Sequence, residues 1–117
     1  MTMLLDDEQT VEDVLQEIVR RIVEAVHPDR IILFGSYARG EPNEHSDLDI
    51  MVVAPSEAPP WKRTKPILKA LRGILFPKDV VWYTPEELDW WADEPAHLVN
   101  TVLREGRVVY AGPARTS

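Results

Sequence analysis

An α/β fold with a mixed β-sheet and helices packed mainly on one face is predicted for this 117-residue chain. Three observations carry the prediction. Apolar residues recur at helical spacing near the N-terminus, short β-branched runs follow, and the long connections between those runs return to helical spacing. The expected order is helix, strand, helix start, strand, helix, strand, helix, helix, strand.

From 11 to 26, Val11, Val14, Leu15, Ile18, Val19, Ile22, Val23 and Val26 follow i, i+3, i+4, i+7 spacing, an apolar stripe on one helix. Thr10 with Asp13 forms a capping pair, and His27-Pro28 ends the helix. His27 is a helix-end surface residue on this reading, since imidazole near the last carbonyls is favourable in itself. Ile31-Ile32-Leu33-Phe34 is a strand buried on both faces that stops at Gly35. Gly35 permits positive φ or close approach of a ligand to the backbone, and Ser36 suits a helix start. Backbone N–H groups at such a turn face an anion, the Ser36 hydroxyl adds a donor, and Arg39 lies one turn on.

Glu41 to His45 is a polar connector in which Pro42 and Asn43 supply turn chemistry. His45 is taken as a solvated loop residue. In the next run Asp47 and Asp49 share one parity, and Leu48, Ile50 and Val52 the other. On a strand both carboxylates therefore project from one face while the apolar set packs inward. Two converging anions require a cation, and oxygen ligands without cysteine or spaced histidine suit Mg²⁺. Two-metal phosphoryl-transfer sites commonly add a third carboxylate near the attacking oxygen. Asp79 is the candidate, because it opens the strand-like run Asp79-Val80-Val81-Trp82-Tyr83. The competing reading is a solvated strand-start residue beside Lys78.

The segment 55–60 is a proline-rich connector. The segment 61–78 holds Lys62, Arg63, Lys65, Lys69, Arg72 and Lys78 and no acidic residue, with Ile67, Leu68, Leu71, Ile74 and Leu75 at helical spacing. A helix with a basic face is expected, either a solvated face whose stems cover the core or a docking surface for phosphates or an acidic partner. Thr84-Pro85-Glu86-Glu87 combines a capping threonine, an N1 proline and a glutamate three residues after the cap. That helix carries Leu88, Trp90 and Trp91, and the two tryptophans point about 100° apart, which suits one to the core and one to solvent. A second helix is expected over about 95–104, then Glu105-Gly106-Arg107 and a last strand over 108–111.

The length suits one domain, 1–117, with loose ends near 1–8 and 112–117, and leaves no room for a separate acceptor-binding domain. The absence of cysteine excludes disulfides, thiol catalysis and thiolate metal sites. The N-terminus lacks the basic start and apolar core of a secretion signal, and no run is long enough to span a bilayer. A cytoplasmic protein without membrane contact is the expectation. A net charge of -7 argues against direct nucleic-acid binding, which relies on basic groups, but not against metal-bound nucleotides.

Gly35-Ser36, ten intervening residues, then Asp47-Leu48-Asp49 resembles the signature of the polymerase-β-like nucleotidyltransferase superfamily. The fuller stretch, Gly35 through Gly40 and Ser46 through Asp49, is similar to its small stand-alone members, the minimal nucleotidyltransferase antitoxins of HEPN toxin–antitoxin pairs. The similarity extends to the run from Asp79 through Glu87 and to the closing Arg104 through Tyr110. It implies a single palm-like nucleotidyltransferase domain in which Gly35, Ser36 and Arg39 bind nucleotide. Asp47, Asp49 and Asp79 would be catalytic and would hold two Mg²⁺ ions. It also implies transfer of AMP from ATP to a hydroxyl, such as a tyrosine, on a HEPN-domain toxin, which this chain would neutralise. Two rival readings are neutralisation by binding alone and a small-molecule, aminoglycoside-type transferase.

Overall fold

The computed structural model describes residues 10–113. Of the expected loose ends near 1–8 and 112–117, residues 1–8 and 114–117 lie outside the described residues. Gly112 is tied down, its N–H donating to the Asp29 carbonyl at 2.8 Å.

Helix α1 (Val11–Val26) buries Val14, Leu15, Ile18 and Ile22, and its Thr10–Asp13 capping box is formed in both directions. His27 caps its C-terminus at φ 47°, a left-handed position that ends the helix. Strand β1 (Arg30–Phe34) runs antiparallel to β2 (Leu48–Val53), which runs parallel to β3 (Lys78–Tyr83). Strand β4 (Arg107–Ala111) pairs antiparallel with β1, giving a mixed sheet of order β3-β2-β1-β4.

The predicted helix over 61–78 is broken and shorter. It becomes α2 (Pro60–Arg63) and α3 (Lys65–Ala70), with Pro66 in the first turn of α3. Proline supplies no N–H and disfavours helical backbone in the residue before it, so the two turns separate. Gly73, at φ 89°, then redirects the chain, and Lys78 opens β3 rather than closing a helix. The basic face shrinks accordingly. Arg63 is buried, and the Lys78 ammonium donates to the Ile74 carbonyl at 2.7 Å, leaving Lys62, Lys65, Lys69 and Arg72 to form what remains of that face. The turn after β1 is also not a helix. Residues 36–40 form a hydrogen-bonded turn closed by Arg39 N–H to Gly35 O and Glu41 N–H to Ser36 O.

Helix α4 (Pro85–Trp91) starts at the predicted Thr84 capping box. Helix α5 (Leu98–Glu105) starts later than expected, because the His97 ring accepts from Val99 N–H and acts as its N-cap. Helices α1 and α3 cover the face carrying Ile31, Leu33, Leu48, Ile50 and Val52, the larger core. The opposite face has a smaller core in which Ile32, Met51 and Val53 meet Leu88 of α4 and Val99 and Val102 of α5. Trp91 packs on this second core, whereas Trp90 is 78% exposed.

Candidate active site

The acidic residues gather where β2 and β3 begin. Asp47 immediately precedes β2, Asp49 is its second residue, and Asp79 is the second residue of β3. Parallel pairing makes Asp49 and Asp79 direct partners, while Phe34, the last residue of β1, partners Asp49 from the other side. Asp49, Met51 and Val53 share a parity, as do Asp79, Val81 and Tyr83, so both acids lie on the sheet face that carries the smaller core.

Gly35 is fixed by this arrangement. It follows Phe34 at φ 77°, and a β-carbon built on it would collide with the Asp49 carboxylate. Only a residue without a side chain lets β1 turn away beside Asp49. The Ser36 hydroxyl donates to Ser46 Oγ at 2.9 Å, and Ser46 Oγ also accepts from Asn43 N–H at 2.9 Å. The glycine-serine turn is thereby tied to the loop that delivers Asp47. The Asn43 side chain accepts from His45 N–H, an Asx turn that further shapes this loop.

Three carboxylates lie near enough to influence one another. Burial, then Asp79, then Asp47 push the Asp49 carboxyl above its ordinary range, and Arg39 partly offsets them. Arg39 is half exposed and lies 3.9 Å from Glu41, within electrostatic reach of Asp49. His45 remains in solvent, its side chain 87% exposed beside Glu44.

The donor set fits a hard divalent cation: oxygen ligands only, with mutual repulsion that a cation would relieve. Among the described residues no group of three or more His, Cys, Asp or Glu side chains is already drawn into ligating geometry. Asp47 and Asp79 are exposed and Asp49 half-buried, so side-chain rotation is available to converge on an ion.

A groove of about 410 Å³ runs along β3 from Val80, the residue after Asp79, to Tyr83, and is bounded also by Pro60, Arg63, Trp91 and His97 among others. No local sequence pattern marks it, because its walls come from α2, β3, α4 and the cap of α5.

The family profile described as a nucleotidyltransferase domain matches residues 13–109. Two proteins of Methanocaldococcus jannaschii, provisionally named as protein adenylyltransferases, are similar over part of their length. One is 49% identical over 53 residues, 45% of this chain and 52% of the relative. The other is 42% identical over 50 residues, 41% of this chain and 34% of the relative. The match thus spans about half the length of the first relative and a third of the second. Among solved structures, a nucleotidyltransferase provisionally so named from Sulfolobus solfataricus superposes with TM-score 0.61 at 22% identity, covering 84% of this chain and 78% of that one. A toxin–antitoxin structure with AMP-PNP superposes at TM-score 0.54 and 24% identity, covering 82% and 72%. A mutant of the toxin–antitoxin MntA-HpeT, in which one tyrosine is replaced by alanine, superposes at TM-score 0.52 and 24% identity, covering 88% and 74%. These structural likenesses speak for the fold.

Proposed function

Because the chain belongs to the nucleotidyltransferase domain family, we propose that it transfers AMP from ATP to a tyrosine hydroxyl on a HEPN-domain toxin and so acts as its antitoxin. One observation carries the proposal: the parallel register that makes Asp49 and Asp79 partners on one sheet face, with Gly35 closed against Asp49. The provisional names of the M. jannaschii relatives and the toxin–antitoxin neighbours support the choice of acceptor class.

In this reading Asp47, Asp49 and Asp79 would hold two Mg²⁺ ions. When bound, the metals neutralise triphosphate charge and lower the pKa of the acceptor hydroxyl. Gly35 and Ser36 receive the triphosphate, and Arg39 adds positive charge beside it. Asp79 orients the acceptor hydroxyl and takes its proton. The hydroxyl oxygen forms a bond to the α-phosphorus, the bond from that phosphorus to the bridging oxygen breaks, and pyrophosphate leaves. Positioning and electrostatics supply most of the rate, as expected for phosphoryl chemistry. Gly35, Asp47, Asp49 and Asp79 lie at or beside the ends of three adjacent strands.

Intact mass spectrometry tests this. The protein encoded beside this chain is incubated with it, Mg²⁺ and each nucleoside triphosphate in turn. The expected result is added mass of one or more AMP groups, absent with the Asp47→Asn/Asp49→Asn variant. A stable complex without adduct would overturn catalysis in favour of neutralisation by binding.

A further inference from the structure

We propose that the groove along the outer edge of β3 is the acceptor subsite, and that an extended segment of the polypeptide acceptor lies beside β3 with its hydroxyl at Asp79. This rests on the transferase reading above.

The edge itself is the first argument. Among the described residues strand β3 ends the sheet order and pairs with β2 alone. The Pro77 and Tyr83 carbonyls point toward β2, accepting from Leu48 N–H at 3.0 Å and Ala54 N–H at 3.2 Å. The Trp82 carbonyl points the other way and accepts from Arg63 Nη1 at 3.3 Å. Backbone direction alternates along a strand, so the Val80 N–H and C=O also face the groove. The Trp82 carbonyl is taken by Arg63, so it is the Val80 groups that an incoming strand meets, the usual basis of recognition by strand addition.

The second argument is position. Asp79, Val81 and Tyr83 share one face, so Val81 and Tyr83 lie about 7 and 13 Å along β3 from Asp79. Gly35 stands on the opposite side of Asp49, at the end of β1. A triphosphate at Gly35 and a chain in the groove therefore approach the Asp49–Asp79 pair from opposite sides, the arrangement a transfer between them requires.

The third argument is the chemistry of the walls. Trp91 stacks on His97 at 4.1 Å and 6°, and the Tyr83 ring meets His97 edge-on at 5.9 Å. His97 Nδ1 accepts from Val99 N–H, which makes Nε2 the donor of the neutral ring. Burial and Glu87 hold the Tyr83 phenol above its ordinary pKa, so it too remains a donor. On the other wall Arg63, only 6% exposed, is held by Glu87. Aromatic surface with donors suits a polypeptide: its carbonyls accept, and an apolar or aromatic side chain packs against Trp91 and His97.

The test uses the full chain, Mg²⁺, labelled ATP and a library of short peptides, each with one central tyrosine between randomised flanks. Binding of Mg²⁺·ATP is measured in parallel. The expected result is labelled tyrosine with enrichment of an apolar or aromatic residue about two to four positions to one side. In Trp91→Ala and His97→Ala the enrichment disappears and the KM of an enriched peptide rises roughly tenfold, while the KM for ATP does not change. Val80→Pro, which removes an outward N–H from an edge strand, lowers labelling in the same way. The unfolding midpoint of each variant is checked first. Labelling indifferent to the flanks, or a preference the variants keep, overturns the groove and leaves the transferase reading intact. A rise in the ATP KM of Trp91→Ala also overturns it, by making the groove a nucleotide site. ATP binding without any labelled peptide rules out an extended acceptor segment. Failure to bind Mg²⁺·ATP removes the transferase reading, and this assignment with it.

Discussion

Gly35 and Asp49 constrain each other, and that constraint is measurable. Gly35→Ala places a β-carbon against the Asp49 carboxylate at φ 77°, so two penalties combine. Chemical denaturation should show a loss of about 2–4 kcal/mol, from left-handed strain and steric collision together. In the Asp49→Ala background the same change should cost only about 1–2 kcal/mol, the part due to φ alone. Asp49 also makes a pH prediction. Its carboxyl is pushed up by burial, Asp79 and Asp47, so between its ordinary and raised values the folded chain binds more protons than the unfolded chain. Stability must fall as pH rises through that window. The metal-free Asp49→Asn variant should therefore be more stable than the parent at neutral pH and lack this step, while losing transfer activity. Urea midpoints across pH read both. At this scale the sequence was explicit about Gly35, Asp47 and Asp49, because a glycine at a strand end and an i, i+2 acid pair are local patterns. Ser46 was not legible as a tie between loops, since its partner Ser36 is brought to it by folding.

Elements were legible in proportion to the strength of their local signals. The capping boxes at Thr10 and Thr84 form as the sequence predicts, because the bonds involved span three residues. In the basic stretch the apolar spacing is that of one helix, but Pro66 and Gly73 divide it. Its most consequential residue, Arg63, sits inside the protein and joins α2, β3 and α4 through the Trp82 carbonyl and Glu87. Glu87→Ala should leave a buried guanidinium without its counter-ion and remove half of the α4 capping box. A loss of about 3 kcal/mol is expected, at the low end for a broken buried pair because Glu87 is itself 33% exposed. Glu87→Gln, which keeps an acceptor but not the charge, should lose less. Thermal denaturation at neutral pH decides between these outcomes.

At the scale of the whole molecule, the mixed sheet separates a structural face from a chemical one. Helices α1 and α3 seal the first, and α4 and α5 cover only part of the second, leaving Asp49 and Asp79 at its uncovered end. Three carboxylates there make ligand binding and stability interdependent. Mg²⁺·ATP at about a hundred times its Kd should stabilise the fold by about 2.7 kcal/mol, seen as a rise in Tm. A chelator should abolish the shift, as should Asp47→Asn/Asp49→Asn. No helix of the described residues is long and apolar enough to cross a membrane. The sequence by itself determined the identity and order of most elements and the glycine-serine and Asp-x-Asp motifs, because spacing, caps and strand parity act over a few residues. Only the tertiary structure decided that Asp79 stands opposite Asp49, that the basic segment breaks and buries Arg63, and that Tyr83, Trp91 and His97 wall a groove. Each of those depends on register and packing between segments far apart in the chain, which local periodicity does not encode.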